Sequence, residues 1–479
     1  MALHLRFASA SRRVEKAIFG RLIAAGIILI FAASMMVAGN GKAEDKSALA
    51  AAPLAATPPL GWNSWDSYGL RITEREFRDN VAVLASKLKP FGYRYAVIDE
   101  GWFLVNPEER PHPERLKYEI DANGRYIPVA ARFPSAMQSD RNSGFTALAG
   151  WVHSQGLKFG IHIVRGIPRE SVRRNLPIEG SSFSAEDAAD ASDACPWDPT
   201  NWGVKDNAAG QAWYDSLLRQ YASWGVDFLK VDCIANNPYK ASEIRQIHLA
   251  IQHSGRPIVL SLSPGPTALE HAAEVGSLSQ MWRISNDIWD VWSSNREFPR
   301  SVKSQFDLAA QWVKFARPGN WPDADMLPVG ELRPYPDVGP GARHTRLTPD
   351  EQRTQISLWA FARSPLIVGA NLTALDSETL QLLTNRDILH IDQSALASRQ
   401  ALHEGDVYVW TADFPRGEHA VGVFNTDDTS LLFDKPLSAL GLGNKKVSLR
   451  DVWAGTVQKR ASALRVQLPP HGVTVDWVQ

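Results

Sequence analysis

The chain has 479 residues, of which 44% are hydrophobic and 22% are charged, and its formal net charge is -1. This length accommodates one large domain and a smaller one. The near-neutral charge gives no reason to expect a nucleic acid or an anionic membrane as partner, so a neutral ligand is expected. Seventeen tryptophans offer flat faces for sugar rings, although tryptophan is also a common core residue.

The N-terminus has the pattern of an export signal. Basic residues precede an apolar run over residues 22–38, and Gly41 and Ala43 supply small residues for cleavage. The run is shorter than the roughly 20 residues of a membrane span. We expect a signal peptide over residues 1–43 and an Ala-rich tail over 44–57. The protein is then periplasmic or secreted, without stable membrane association after cleavage; an uncleaved anchor is the alternative.

Apolar strands and amphipathic helices alternate from residue 58 to residue 394. Capping-box patterns begin at Thr73 and Thr348 and predict helix starts. Alternating strands and helices are typical of parallel α/β architecture, and eight units match a (β/α)8 TIM barrel. The predicted strands are 60–65, 95–98, 158–163, 226–231, 257–262, 281–284, 321–326 and 366–369.

Two connections in this region, 103–145 and 165–206, are too long for simple loops. Long connections at strand exits usually form the walls of a substrate site. From residue 395 to residue 479, short β-rich runs at 406–410, 419–424, 446–449 and 472–475 are separated by turn residues. This pattern predicts a C-terminal antiparallel β-sandwich domain. We expect the domain to stabilise the barrel, with sugar binding as the alternative role.

The predicted strand at 226–231 contains Lys230 near its end and is followed by Asp232. The two side chains point to the same face because they are two residues apart. A carboxylate beside an ammonium stays ionised at neutral pH and serves as a nucleophile or ligand. The alternative is an interior ion pair that only supports packing. Carboxylates clustered with tryptophan, without the histidine spacing of a metal site, are typical of glycoside hydrolysis. The other acids at strand ends are Asp99, Glu100, Asp287, Asp323 and Asp325.

The two cysteines, Cys195 and Cys233, are expected to form at most one disulfide in an exported protein. They are too few and too isolated for a zinc site, so no metal and no cofactor is expected.

Several motifs, in order along the chain, resemble glycoside hydrolase family 27, the α-galactosidase or melibiase family, over residues 58–479. They are Pro59-Leu60-Gly61-Trp62-Asn63-Ser64-Trp65, Ile98-Asp99-Glu100-Gly101-Trp102, Lys230-Val231-Asp232, Trp282-Arg283-Ile284-Ser285-Asn286-Asp287, the segment 318–327, and Leu358-Trp359 through Ser364-Pro365-Leu366.

This resemblance implies a retaining exo-glycosidase that releases terminal α-D-galactose by double displacement. Asp232 corresponds to the family nucleophile and Asp287 to the general acid/base, and retention requires their carboxyl groups to lie about 5–5.5 Å apart. The residues implied to bind the sugar are Trp65, Asp99, Lys230, Arg283, Asp325 and Met326.

Three departures from the family pattern bear on the substrate. Glu100 replaces the usual aspartate. Either its extra methylene pushes the carboxylate into the pocket and favours β-L-arabinopyranose, or the Glu100 side chain tilts aside and galactose still fits. His162 replaces a tyrosine, and it either binds a sugar hydroxyl or is a satisfied interior residue. Residues 261–265, including Ser263, stand where the family has a recognition loop. Cys233 lies one residue before the family's cysteine, which implies a Cys195–Cys233 bridge.

The alternative activities on this scaffold are β-L-arabinopyranosidase and an isomaltodextranase-type α-glucan hydrolase. An inactive carbohydrate-binding protein would be expected to lack Asp232 or Asp287, and a metal-dependent hydrolase would need histidines at the strand ends. The expected partner is a carbohydrate substrate, and the oligomeric state is left open.

Overall fold

The computed structural model describes residues 53–137, 144–333 and 341–479. The predicted signal peptide and residues 44–52 of the Ala-rich tail lie outside these ranges. Across the described ranges, no helix combines the length and the hydropathy that a bilayer span requires.

The central sheet of the described chain has eight parallel strands. Strands β1 to β7 lie side by side in chain order, and β8 pairs with β1. Just beyond β7, Leu327 forms a parallel bridge with Val368 of β8, which closes the curled sheet. The predicted (β/α)8 barrel is therefore confirmed. The strands are β1 Leu60–Asn63, β2 Tyr95–Ile98, β3 Lys158–Val164, β4 Phe228–Asp232, β5 Val259–Leu262, β6 Met281–Arg283, β7 Trp321–Asp323 and β8 Leu366–Val368.

Amphipathic helices cover the outer face of this sheet. Thr73 and Thr348 each close a capping box, as predicted, because their side chains and those of Glu76 and Glu351 satisfy each other's backbone N–H groups. The helices are α1 Trp65–Tyr68, α2 Glu74–Val83, α3 Thr146–Ser154, α4 Arg169–Arg173, α5 Ala185–Ala188, α6 Ala208–Trp224, α7 Ala241–Ser254, α8 Ala272–Leu278, α9 Gln305–Trp312, α10 Pro349–Ala362, α11 Ser377–Leu383 and α12 Arg386–Ser394.

The barrel interior is apolar at the starts of the strands. Large buried side chains fill that end, and polar side chains are left for the carboxyl ends, where barrel enzymes carry their sites. The apolar cluster is Tyr95, Val97, Phe228, Val259, Met281 and Trp321.

The two long connections leave β2 and β3 at this polar end. The first connection, 103–145, contains short 3-10 turns, including Pro107–Glu109. The second connection, 165–206, carries a small sheet of Ile167–Pro168, Ala189–Asp190 and Asn201–Val204.

After α12 ends at Ser394, the described chain becomes all β. Six strands form one antiparallel sheet in the order β9-β10-β11-β16-β13-β14, and β12 pairs with β15. The predicted sandwich is confirmed, but its pattern misses β9, β12, β14 and β15. Strands β9 and β14 are largely polar and little buried. Strands β12 and β15 contain more apolar residues, but each is only partly buried. The strands are β9 Ala397–Glu404, β10 Val407–Asp413, β11 His419–Asn425, β12 Leu431–Pro436, β13 Val447–Asp451, β14 Val457–Ala461, β15 Ala463–Leu468 and β16 Val473–Val478.

Candidate active site

A cavity of about 500 Å³ opens at the carboxyl ends of the barrel strands. This volume lies in the ordinary range for small-molecule sites. Most of the side chains predicted from the sequence to form the site line it, although they come from distant parts of the chain. They are Trp65, Asp99, Glu100, Lys230, Asp232, Ser263, Asp287, Asp325 and Met326.

Lys230 of β4 reaches across the barrel interior to Asp99, which follows β2. Its Nζ lies 2.9 Å from Asp99 Oδ2, and that oxygen also accepts a 2.7 Å hydrogen bond from Asn63 Nδ2. Burial alone would raise the pKa of Asp99, but the Lys230 ammonium beside it holds that pKa well below its usual range. The pair therefore presents a fixed ammonium and a fixed carboxylate to the cavity.

Asp232 ends β4 and is held as a carboxylate. Its Oδ2 lies 3.3 Å from Nε2 of His162, and its Oδ1 accepts a hydrogen bond from the backbone N–H of Cys233. Burial opposes ionisation, but the His162 hydrogen bond and the charges of His162 and Lys230 lower the pKa of Asp232. An ionised carboxylate at the cavity wall has the chemistry of a nucleophile.

His162 itself is not on the cavity wall. The side chain is 1% exposed, behind Asp232, with Nε2 also 3.9 Å from Asp99 Oδ1. Burial opposes its protonation, but Asp99 and Asp232 raise the pKa of His162. The structure therefore favours the interior reading of His162 over direct sugar binding.

Arg283 of β6 also lies behind the wall, 2% exposed, rather than among the lining residues. Its Nη1 is 3.2 Å from Asp287 Oδ1, and its Nη2 is 2.6 Å from Asp325 Oδ2. Asp325 in turn accepts a 2.7 Å hydrogen bond from the backbone N–H of Ile288. Arg283 thus links the segment that carries Asp287 to the segment after β7.

The two candidate catalytic acids differ in environment. The Asp287 side chain is 35% exposed, against 17% for Asp232. Asp287 therefore reaches the open side of the cavity, where a leaving group and water have access. Asp325, buried beside it, has a pKa raised to about 7, by burial first and then by the Asp287 and Asp323 carboxylates against the pull of Arg283.

Glu100 also lines the cavity and is joined to the first connection. Its Oε1 accepts a 2.9 Å hydrogen bond from Arg110 Nη1, and the same guanidinium nitrogen lies 3.3 Å from Asp198 Oδ2 in the second connection. Burial raises the pKa of Glu100 to about 8, with Arg110 opposing and Asp198 and Asp232 adding to the rise.

Several residues that line the cavity have no counterpart among the sequence predictions. Asp66 directly follows the predicted Trp65, so its position at a strand exit was a usable signal. Arg110 and the aromatic residues lie in long connections, where no local pattern indicates which side chains turn inward. The missed lining residues include Asp66, Arg110, Trp197, Trp289 and Phe298.

Cys195 and Cys233 form a disulfide in the structure, with their Cα atoms 5.9 Å apart. Cys233 directly follows Asp232, so the bridge fastens the second connection to the end of β4. Within the described ranges, no group of three or more His, Cys, Asp or Glu side chains is arranged to hold a metal ion.

Comparisons with known proteins match this architecture. The family model described as alpha galactosidase A matches residues 207–394, and that of the alpha-galactosidase C-terminal beta sandwich domain matches residues 404–475. An alpha-galactosidase from Coffea arabica is 30% identical over 421 residues, which cover 86% of this chain and 91% of the relative.

Two solved structures are more similar still. A GH27 β-L-arabinopyranosidase from Geobacillus stearothermophilus has a TM-score of 0.82 and 40% identity, over 89% of this chain and 97% of that chain. A putative α-N-acetylgalactosaminidase from Bacillus halodurans has a TM-score of 0.77 and 38% identity, over 88% and 97%. Since these matches span most of a chain whose family motifs meet around one carboxylate-lined cavity, the protein belongs to glycoside hydrolase family 27 and is a glycoside hydrolase of the α-galactosidase type.

Proposed function

We propose that the protein is a retaining exo-glycosidase that removes terminal sugars of galacto configuration, with β-L-arabinopyranosides preferred over α-D-galactosides. These two sugars have the same ring stereochemistry, and they differ in the CH2OH group that the pentose lacks. One pocket can therefore hydrolyse both, and the contacts around the position of that group decide the preference.

In this proposal Asp232 attacks the anomeric carbon and Asp287 protonates the leaving oxygen. The lowered pKa of Asp232 supports a nucleophile that is ionised before substrate binds. Asp287 then accepts a proton from water, which attacks the glycosyl-enzyme, and the sugar leaves with its original anomeric configuration. The Lys230–Asp99 pair bonds ring hydroxyls, because it offers a donor and an acceptor to the same cavity.

The position of Glu100 is the observation that carries the sugar preference. Its carboxyl group lines the cavity and is hydrogen-bonded to Arg110, so the side chain is held in the wall. The family's shorter aspartate leaves more room at this point. The Geobacillus stearothermophilus relative, at 40% identity, is a β-L-arabinopyranosidase, and this likeness supports the same preference here.

The preference is tested by comparing kcat/KM for p-nitrophenyl β-L-arabinopyranoside, α-D-galactoside and α-D-glucoside. We expect the arabinoside to exceed the galactoside by about tenfold or more, the effect of one poorly accommodated group in a binding pocket. Glu100→Asp should lower this ratio, and Glu108→Asp, the same change at an exposed site, should leave it unchanged. A wild-type preference for the galactoside would refute the proposal, and activity confined to the glucoside would favour an isomaltodextranase-type activity.

We also propose that the protein is exported to the periplasm or secreted. The basic and apolar N-terminal pattern supports this, and a disulfide suits an oxidising compartment. N-terminal sequencing of the protein from the periplasm or medium should find a start near residue 44. Recovery of the intact chain from the cytosol alone would contradict export.

A further inference from the structure

The carboxyl group of Glu100 depends on one guanidinium. Among the described residues, Arg110 is the only side chain that donates a hydrogen bond to it. A glutamate has one more rotatable bond than an aspartate, so without a partner its carboxyl group would sample several positions. Arg110 reduces that freedom at the point where the sugar preference is set.

Arg110 is itself fixed by the second connection. Its Nη2 donates a 3.0 Å hydrogen bond to the backbone carbonyl of Trp197, and its Nη1 lies 3.3 Å from Asp198 Oδ2. Asp198 is fully buried and accepts a 2.7 Å hydrogen bond from the backbone N–H of Thr200. The guanidinium therefore rests on a rigid acceptor, and its own side chain is only 23% exposed.

At this wall of the cavity, Arg110 joins the two long connections. Arg110 belongs to the first connection, and Trp197 and Asp198 belong to the second, close to the disulfide at Cys195. The bridge ties this part of the second connection to the strand that ends in Asp232. Glu100 and Asp232 are thereby joined by a continuous path of hydrogen bonds, backbone and the disulfide.

We propose that Arg110 is a positioning residue that holds the Glu100 carboxyl group where the CH2OH of a galactoside would lie, and so sets the preference for the pentose. This inference rests on the proposed function and adds a second residue, outside the family motifs, to the determinants of specificity. Loss of the guanidinium frees Glu100 to turn aside, which admits the hexose.

The test measures the ratio of kcat/KM for the β-L-arabinopyranoside to that for the α-D-galactoside. We expect Arg110→Gln to lower this ratio at least about threefold. A tenfold change in the ratio corresponds to only about 1.4 kcal/mol, so loss of one positioning hydrogen bond is enough for a change of this size. Asp198→Asn should lower it by less. Arg115→Gln, an exposed arginine of the same connection, is the matched control and should not change it. A ratio between two substrates is independent of the fraction of enzyme that folds.

A double substitution separates positioning from general support. With aspartate at position 100, the shorter side chain no longer reaches Arg110, so Arg110→Gln should add nothing to the effect of Glu100→Asp. Equal losses on both substrates in Arg110→Gln, with an unchanged ratio, would overturn the inference. If Glu100→Asp shifts the ratio and Arg110→Gln does not, only the role of Arg110 fails. If the wild-type enzyme prefers the galactoside, the proposed function fails as well.

Discussion

At the scale of single residues, the same carboxyl group acquires different properties from its surroundings. Asp232 has a lowered pKa because His162 and Lys230 face it, whereas burial raises that of Asp325 to about 7. Opposite shifts within one cavity are how enzymes separate a nucleophile from groups that bind as neutral acids. The chemistry is therefore assigned by neighbours rather than by residue type.

Asp66 provides a residue-scale prediction. It is 1% exposed, and its Oδ2 is buried with no hydrogen-bond partner among the described residues. Burial, together with the Asp325 carboxylate and against Arg333, raises its pKa from 3.8 to about 8. Between pH 4 and pH 8 the native state thus holds a proton that the unfolded chain has released. The free energy of unfolding must fall as pH rises through this window.

Asp66→Asn removes this dependence and should stabilise the enzyme at pH 8, relative to pH 5, by at least about 1 kcal/mol. Thermal unfolding at the two pH values measures it. The decrease of the free energy of unfolding with pH should become shallower without vanishing, because the pKa values of Glu100 and Asp325 are also raised. Asp79→Asn, an exposed control, should leave the slope as it is. An unchanged slope in Asp66→Asn would show that Asp66 is ionised in the native state.

The residues of the site were predictable where a strand or the exit of a strand carries them. Lys230 and Asp232 were placed correctly because alternation along a strand fixes their direction. Arg110 was missed because its position depends on the path of a 43-residue connection, which no local pattern encodes. His162 was predicted either to lie in the barrel interior or to bind the sugar. The burial of its side chain favours the interior position, and the sequence pattern does not indicate how deeply a side chain is buried.

At the scale of elements, the barrel strands could be predicted because strands buried on both faces are apolar throughout. The missed strand β14, with Gln458, Lys459 and Arg460 exposed, lies at the edge of its sheet and pairs on one side only. Edge strands commonly carry polar and charged residues. The hydrophobic pattern alone therefore predicts the central strands of the C-terminal sheet but not its edge strands β9 and β14.

The disulfide gives a prediction for the second connection as an element. It closes a loop with a sequence separation of 38, and loss of such a bridge costs about 2–4 kcal/mol of stability. Cys195→Ser and Cys233→Ser should each reduce the free energy of unfolding by about as much as the double substitution. A reducing agent should lower the melting temperature of the wild type alone. Additive losses would instead indicate that each cysteine contributes through its own packing.

At the scale of the whole molecule, the C-terminal domain shares the hydrophobic core of the barrel. Phe361 of α10 contacts Phe424 of β11 with ring centroids 6.2 Å apart, and Arg450 pairs with Asp387 of α12 at 2.8 Å. The described residues that line the cavity all precede this domain in the chain. This arrangement favours the stabilising role over sugar binding by the sandwich.

Chemical rescue by azide is the most direct test of the proposed double displacement by Asp232 and Asp287. Asp232→Ala should lower kcat on p-nitrophenyl α-D-galactoside by about a thousandfold or more. Azide should restore turnover and yield the β-D-galactosyl azide, because it attacks from the face that the carboxylate has vacated. Asp287→Ala, the matched variant, should yield the α-azide through the intact glycosyl-enzyme. An α-azide from Asp232→Ala, or no rescue at all, would contradict the assignment of Asp232 as nucleophile.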